Sequence, residues 1–189
     1  MKKYILLSVT LAGIIFISGC KKEPDAPANE EELITTLILY LKKQGTSTIQ
    51  NFTFNDPDGP GGIAATVDSI IIDKASIYDA SILLLNTQKI PADTISNEVL
   101  SEGTLHQFFY KSTPATVLSG FSYLAPNDTD GNPIGLKFDF DTWNWVNAGT
   151  LNIILRHQPV KTATGVSDGD ITNADGETDI EVDFPVRLQ

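Results

Sequence analysis

The chain reads as an all-β protein, a single antiparallel β-sandwich of immunoglobulin-like Greek-key type with one short helix. Two patterns predict it. From Leu33 onward, short runs rich in Ile, Leu, Val, Thr, Phe and Tyr recur with period-two alternation, as half-buried strands require. Clusters of turn residues separate them: NDPDGPGG at 55–62, PNDTDGNPIG at 126–135, and SDGD and NADGE within 167–177. A third observation removes the main competitor. The sequence has no GxGxxG, no P-loop and no alternation of strand and helix of the kind that builds a parallel α/β sheet.

In chain order the candidate strands are 33–42, 49–54, 65–72, 80–86, 105–111, 117–124, 136–140, 149–156 and 179–188. Phe138 and Phe140 form one apolar set, extended by Trp143, and Lys137, Asp139 and Asp141 alternate with them. Leu151, Ile153 and Leu155 share the inward face of their strand, and Ile154 breaks the alternation. Residues 92–103 depart from the β pattern. Ile95, Val99 and Leu100 fall at helical spacing, Asp93 or Thr94 can cap the start and Gly103 can stop it, which predicts a short helix crossing between sheets.

Ahead of the sandwich, residues 1–19 read as a lipoprotein signal peptide. Lys2 and Lys3 supply its positive start, and Tyr4 to Ile17 its apolar run. Ile17-Ser18-Gly19-Cys20 has the small residues that let a peptidase cut next to a cysteine, whose thiol then carries the lipid as a thioether. The apolar run would span roughly 21 Å as a helix, short of the ~30 Å hydrocarbon core, so a retained membrane helix is the weaker alternative. Residues 20–32 (CKKEPDAPANEEE) are polar and proline-containing and read as a lipidated flexible tether, leaving 33–189 as the folded domain.

Without residues 1–19 the chain carries 11 Lys+Arg against 24 Asp+Glu, a formal charge of −13. That balance argues against a nucleic-acid partner, whose phosphates require a basic surface. It also leaves membrane attachment to the Cys20 lipid rather than to a polybasic patch. Cys20 is the only cysteine, so lipidation leaves no thiol for a disulfide, a thiolate site or a nucleophile.

The two histidines carry the sharpest chemical signal. His106, in TLHQFFYK, shares strand parity with Phe108 and Tyr110; His157, in LRHQP, follows Leu151, Ile153 and Leu155 on the inward face. If their strands are neighbours, both imidazoles meet at one end of the sandwich, with Glu102 or Tyr110 near. Such a pair could hold a transition metal or ligate a haem iron from two sides. The alternative is that each histidine bonds backbone at a strand end.

Asp128, Asp130 and Asn132 offer oxygen ligands for calcium, although the run lacks the EF-hand glycine and glutamate, with Pro133 and Asp139 in their places. Asp-Gly and Asn-Gly steps also serve plain turns. For catalysis the inventory is thin: no nucleophile elbow marks a serine, so a non-enzyme is expected. Trp143 and Trp145, two apart, would share one face of a strand, either buried under a loop or exposed as a ligand surface that stacks on sugars or anchors a protein.

Several runs carry a family resemblance: NEEELITTL after the signal, HQFFY at 106–110, DTDGNPIGL at 128–136, and LRHQP followed by GVSDGDITNADGETDIEVDFPV. In these the chain resembles a family of small Bacteroidetes lipoproteins of no established activity, often labelled "type 1 periplasmic binding fold superfamily protein". That label names a two-lobed α/β architecture, for which this chain has neither the length nor the helices; the expectation remains the sandwich. The resemblance implies an outer-membrane setting, and Lys21-Lys22-Glu23 leaves open which face the protein occupies. Asp68-Ser69-Ile70 and Asp93-Thr94-Ile95 resemble the O-glycosylation signal of such bacteria, at Ser69 and Thr94.

Two functions are therefore expected. One is a lipid-anchored envelope module that captures a metal or metal complex beside an outer-membrane receptor. The other is a structural or adhesive lipoprotein presenting loops to protein or glycan partners.

Overall fold

A computed structural model describes residues 32–189 of the chain; the expected signal peptide, Cys20 and the tether up to residue 31 lie outside the described residues. The elements are β1 (Thr36–Lys43), β2 (Ile49–Asn55), β3 (Thr66–Val67), β4 (Ile70–Ile72), β5 (Ile77–Leu85), α1 (Ile95–Ser101), β6 (His106–Thr113), β7 (Leu118–Leu124), β8 (Lys137–Thr142), β9 (Ala148–His157) and β10 (Glu177–Leu188). They form two sheets, ordered β3-β2-β1-β5-β8-β7 and β4-β10-β9-β6. Pairing is antiparallel except for β4 against β10. The chain passes repeatedly from one sheet to the other, which gives the interleaved connections of a sandwich.

Strict alternation builds the core. Leu37, Leu39 and Leu41 of β1, Tyr78, Ala80, Ile82 and Leu84 of β5, and Ile180, Val182, Phe184, Val186 and Leu188 of β10 all point inward. Each large apolar side chain so buried contributes about 1.5–3 kcal/mol. Tyr110 and Phe138 stack between the sheets with ring centres 3.7 Å apart. Tyr110 also donates its hydroxyl to the Gly135 carbonyl, which commits it to the core.

The expected strand 65–72 is divided between the two sheets. Asp68 causes the break: its backbone N–H donates to the Thr53 carbonyl, and its carboxylate accepts from the Thr53 N–H, ending the pairing with β2. Ser69 lies exposed at the crossing. The helix forms as expected, with Thr94 at its N-cap position and Ile95 and Val99 buried, whereas Leu100 is exposed because it lies off that face. Gly103 does not itself end α1, whose C-cap is Glu102. The glycine is needed for close approach, since a Cβ there would meet Ile134 at 2.6 Å.

The break at Ile154 has a tertiary cause. Residues 158–176 do not merely connect β9 to β10; they fold back over the outer face of β6 and β9. Val166 and Ala174 cover Phe109, with Ile154, Ala163 and Ile171 packed around them. Every residue of HQFFY is therefore buried. Lys161 fastens this cover, donating to the carbonyls of Gly103 and Pro133 and to Asp128 Oδ2.

Candidate metal centre

Where β6, β9 and β10 meet at one end, two imidazoles and a carboxylate converge. His106 opens β6 and His157 closes β9, and the antiparallel register sets them directly opposite each other. Their rings lie edge to face with centres 4.7 Å apart. The third member, Asp179, depends on a bulge. Along β10 the inward residues are Ile180, Val182 and Phe184, so simple parity turns Asp179 outward. The register slips between Thr178 and Ile180, and the extra residue turns inward beside Ile180.

Arg156 holds that bulge. Its guanidinium donates to the carbonyls of Asp175 and Gly176 and to the Thr178 hydroxyl, fastening the segment that leads into Asp179. Gly176 is required here: its φ is +74°, and a Cβ would fall 2.2 Å from the His157 carbonyl oxygen.

Asp179 Oδ2 lies 3.7 Å from His106 Nε2, and Oδ1 lies 3.7 Å from His157 Nδ1. One ligand atom from each residue lies within 4.8 Å of the others, and all three side chains are almost wholly buried. A tetrahedral ion with bonds of about 2.0–2.1 Å holds its ligands roughly 3.3 Å apart, so the three ligand atoms, which lie within 4.8 Å of one another, must draw together on binding. The tautomer is set as well. His106 Nδ1 lies 3.2 Å from the Glu102 carbonyl, which can only accept, so Nδ1 carries the proton and Nε2 presents its lone pair. Burial lowers the His106 pKa, with the neighbouring His157 acting in the same direction, against the Glu102 carbonyl bond that raises it. A neutral imidazole is the form that ligates.

A second layer of acids lies nearby. Glu32, the first described residue, is half-buried and hydrogen-bonded to Glu98. Its pKa is raised to about 8, first by burial, then by that hydrogen bond and the charges of Glu98, Glu102 and Asp179.

Other expected sites fall differently. Glu102 contributes its backbone carbonyl to His106 and is itself exposed; its carboxylate is not part of the cluster, and Asp179 takes the position expected for it. Haem ligation from two sides does not fit, because imidazoles edge to face at 4.7 Å leave no room for a porphyrin plane between them. The calcium candidate is also corrected. Asp128 Oδ1 accepts from the N–H groups of Asp130 and Asn132, and Oδ2 pairs with Lys161 at 3.0 Å, so an ammonium holds the place of a cation. On Asp128 burial raises the pKa, but the Lys161 bond and the Asn132 amide outweigh it and the net shift is downward.

Trp143 and Trp145 do not share a strand face. They follow β8 in the loop to β9, with ring centres 6.1 Å apart, and both are exposed, Trp145 at 74%. Thr94 stands half-buried at the helix start, without a side-chain capping bond.

Fold and cluster together define an all-β sandwich with a buried two-histidine, one-aspartate constellation at one end. No family model, no curated protein and no solved structure matches the chain.

Proposed function

We propose that this protein is a lipid-anchored binding module of the cell envelope, held at the outer membrane through Cys20, whose His106–His157–Asp179 cluster takes a divalent transition-metal ion. One observation carries the metal reading: three almost wholly buried ligand-type side chains from three neighbouring strands meet within 4.8 Å. Two imidazoles and one carboxylate form a borderline donor set suited to zinc, copper(II) or iron(II) rather than to calcium or magnesium, which prefer oxygen. Ligands mounted on paired strands are held more rigidly than ligands on loops, which suits capture and delivery beside a larger membrane receptor.

The test is metal content and affinity of the full chain in detergent, titrated with Zn2+, Cu2+ and Co2+. The cobalt complex should show the visible spectrum of a site of low coordination number. Stoichiometric binding that disappears in a His106→Ala/His157→Ala double variant supports the assignment. Absence of stoichiometric binding, or binding that the double variant retains, overturns it and leaves the cluster as a structural fastening of three strands.

A further inference from the structure

A second candidate site lies away from the histidines, on the open side of the sandwich, where β7 ends one sheet and β6 ends the other. A cavity of about 330 Å3 opens there, floored by Tyr110, Phe121 and Tyr123 and rimmed by Ser122 and Asp168. It is at the small end of the range for small-molecule sites, roughly 300–1,000 Å3. The floor is rigid. Phe121 packs on Tyr110, Phe138 and Phe140, and Tyr123 donates its hydroxyl to the Phe108 carbonyl at 2.6 Å. Two glycines in the left-handed region line it. Gly120 has φ +65° within the bulge that shifts β7 against β8, and Gly169 has φ +93° with Tyr123 packed against it.

A second cavity of about 220 Å3 adjoins the first, sharing Tyr110 and Gly169, and adds Phe109, Lys111, Asn152 and Asp170. On β7, one residue before Gly120, the Ser119 hydroxyl accepts from the Trp143 indole, which places the exposed Trp143–Trp145 pair beside the same strand.

We infer that this cleft binds a neutral oligosaccharide, with successive sugar rings in the two adjoining cavities. The partly exposed rings of Phe121 and Tyr123 suit the apolar C–H faces of sugars. Asp168, Asp170, Ser122 and Asn152 supply polar groups for hydroxyls. The two cavities together carry Asp168 and Asp170 against Lys111, a net negative lining, so phosphorylated and uronic-acid ligands are disfavoured. This site shares no residue with the metal cluster and stands or falls separately from it.

The test uses the full chain in detergent and tetrasaccharides of glucose, mannose, xylose and N-acetylglucosamine, with tetragalacturonate as the anionic control. Binding is followed by calorimetry and tryptophan fluorescence. At least one neutral tetrasaccharide should bind, with affinity falling tenfold or more in both Ser122→Trp, which fills the first cavity, and Asp168→Ala. Both residues are exposed, so both variants should keep the wild-type Tm, and His106→Ala should leave sugar binding unchanged. The inference is overturned if none of the neutral sugars binds, if tetragalacturonate is preferred, or if neither variant weakens binding.

Discussion

His106 and His157 stand directly opposite each other across the β6–β9 ladder, and Asp179 reaches them from β10 on the other side of β9. The cluster therefore joins three adjacent strands at their ends. Any ion held there gains its geometry from sheet registers that the buried core already enforces, and the arrangement is largely preformed.

Removing Asp179 should cost more than removing what positions it. Asp179→Ala is expected to weaken divalent-metal binding by more than the ~10–100-fold that loss of an outer hydrogen-bonding partner costs. Arg156→Met, which releases the bulge, should fall within that range, and Glu102→Ala should leave affinity unchanged because only its backbone carbonyl is used. Competition titrations against a chelator would rank the three; equal effects would contradict the ligand assignment.

The Lys161–Asp128 pair is buried, and its loss should be felt by the whole fold. Lys161→Met strands the Asp128 carboxylate and the carbonyl oxygens of Gly103 and Pro133, at an expected cost of about 3–5 kcal/mol. Trp145→Ala, at an exposed position, should change stability by less than about 0.5 kcal/mol. Urea denaturation of both variants checks the contrast.

Glu32 should make stability depend on pH in a definite sense. Its carboxyl is raised from 4.5 to about 8 in the fold, so its contribution is whole below pH 4.5 and is lost progressively as pH rises towards 8. Above 4.5 the unfolded chain releases the proton first, while the folded one retains it against the charges of Glu98, Glu102 and Asp179. Glu32→Gln should flatten the fall in Tm between pH 5 and 8; an unaltered fall would contradict the assignment.

Cys20→Ser should move the protein from the membrane to the soluble fraction while leaving its circular dichroism unchanged. Retention in membranes would refute lipid anchoring at that residue.

Legibility in the sequence was uneven. The inward faces of β5, β9 and β10 could be read from alternation alone, because a strand between core and solvent has only two faces to offer. The helix at 95–101 followed from the spacing of Ile95 and Val99. Ile154 and the continuous HQFFY run resisted the same reading because a second layer, the 158–176 segment, buries the face that alternation assigns to solvent. The division of 65–72 was hidden because it depends on Asp68 bonding the backbone of a distant strand.

By itself the sequence determined the β architecture and the inward parity of His106 and His157, both local properties of composition and period. Only the tertiary structure decided that the two histidines are cross-strand neighbours and that Asp179, rather than Glu102, completes the cluster. Strand order is a long-range pairing that no local pattern specifies. A one-residue bulge reverses the face of a side chain without changing the alternation on either side of it.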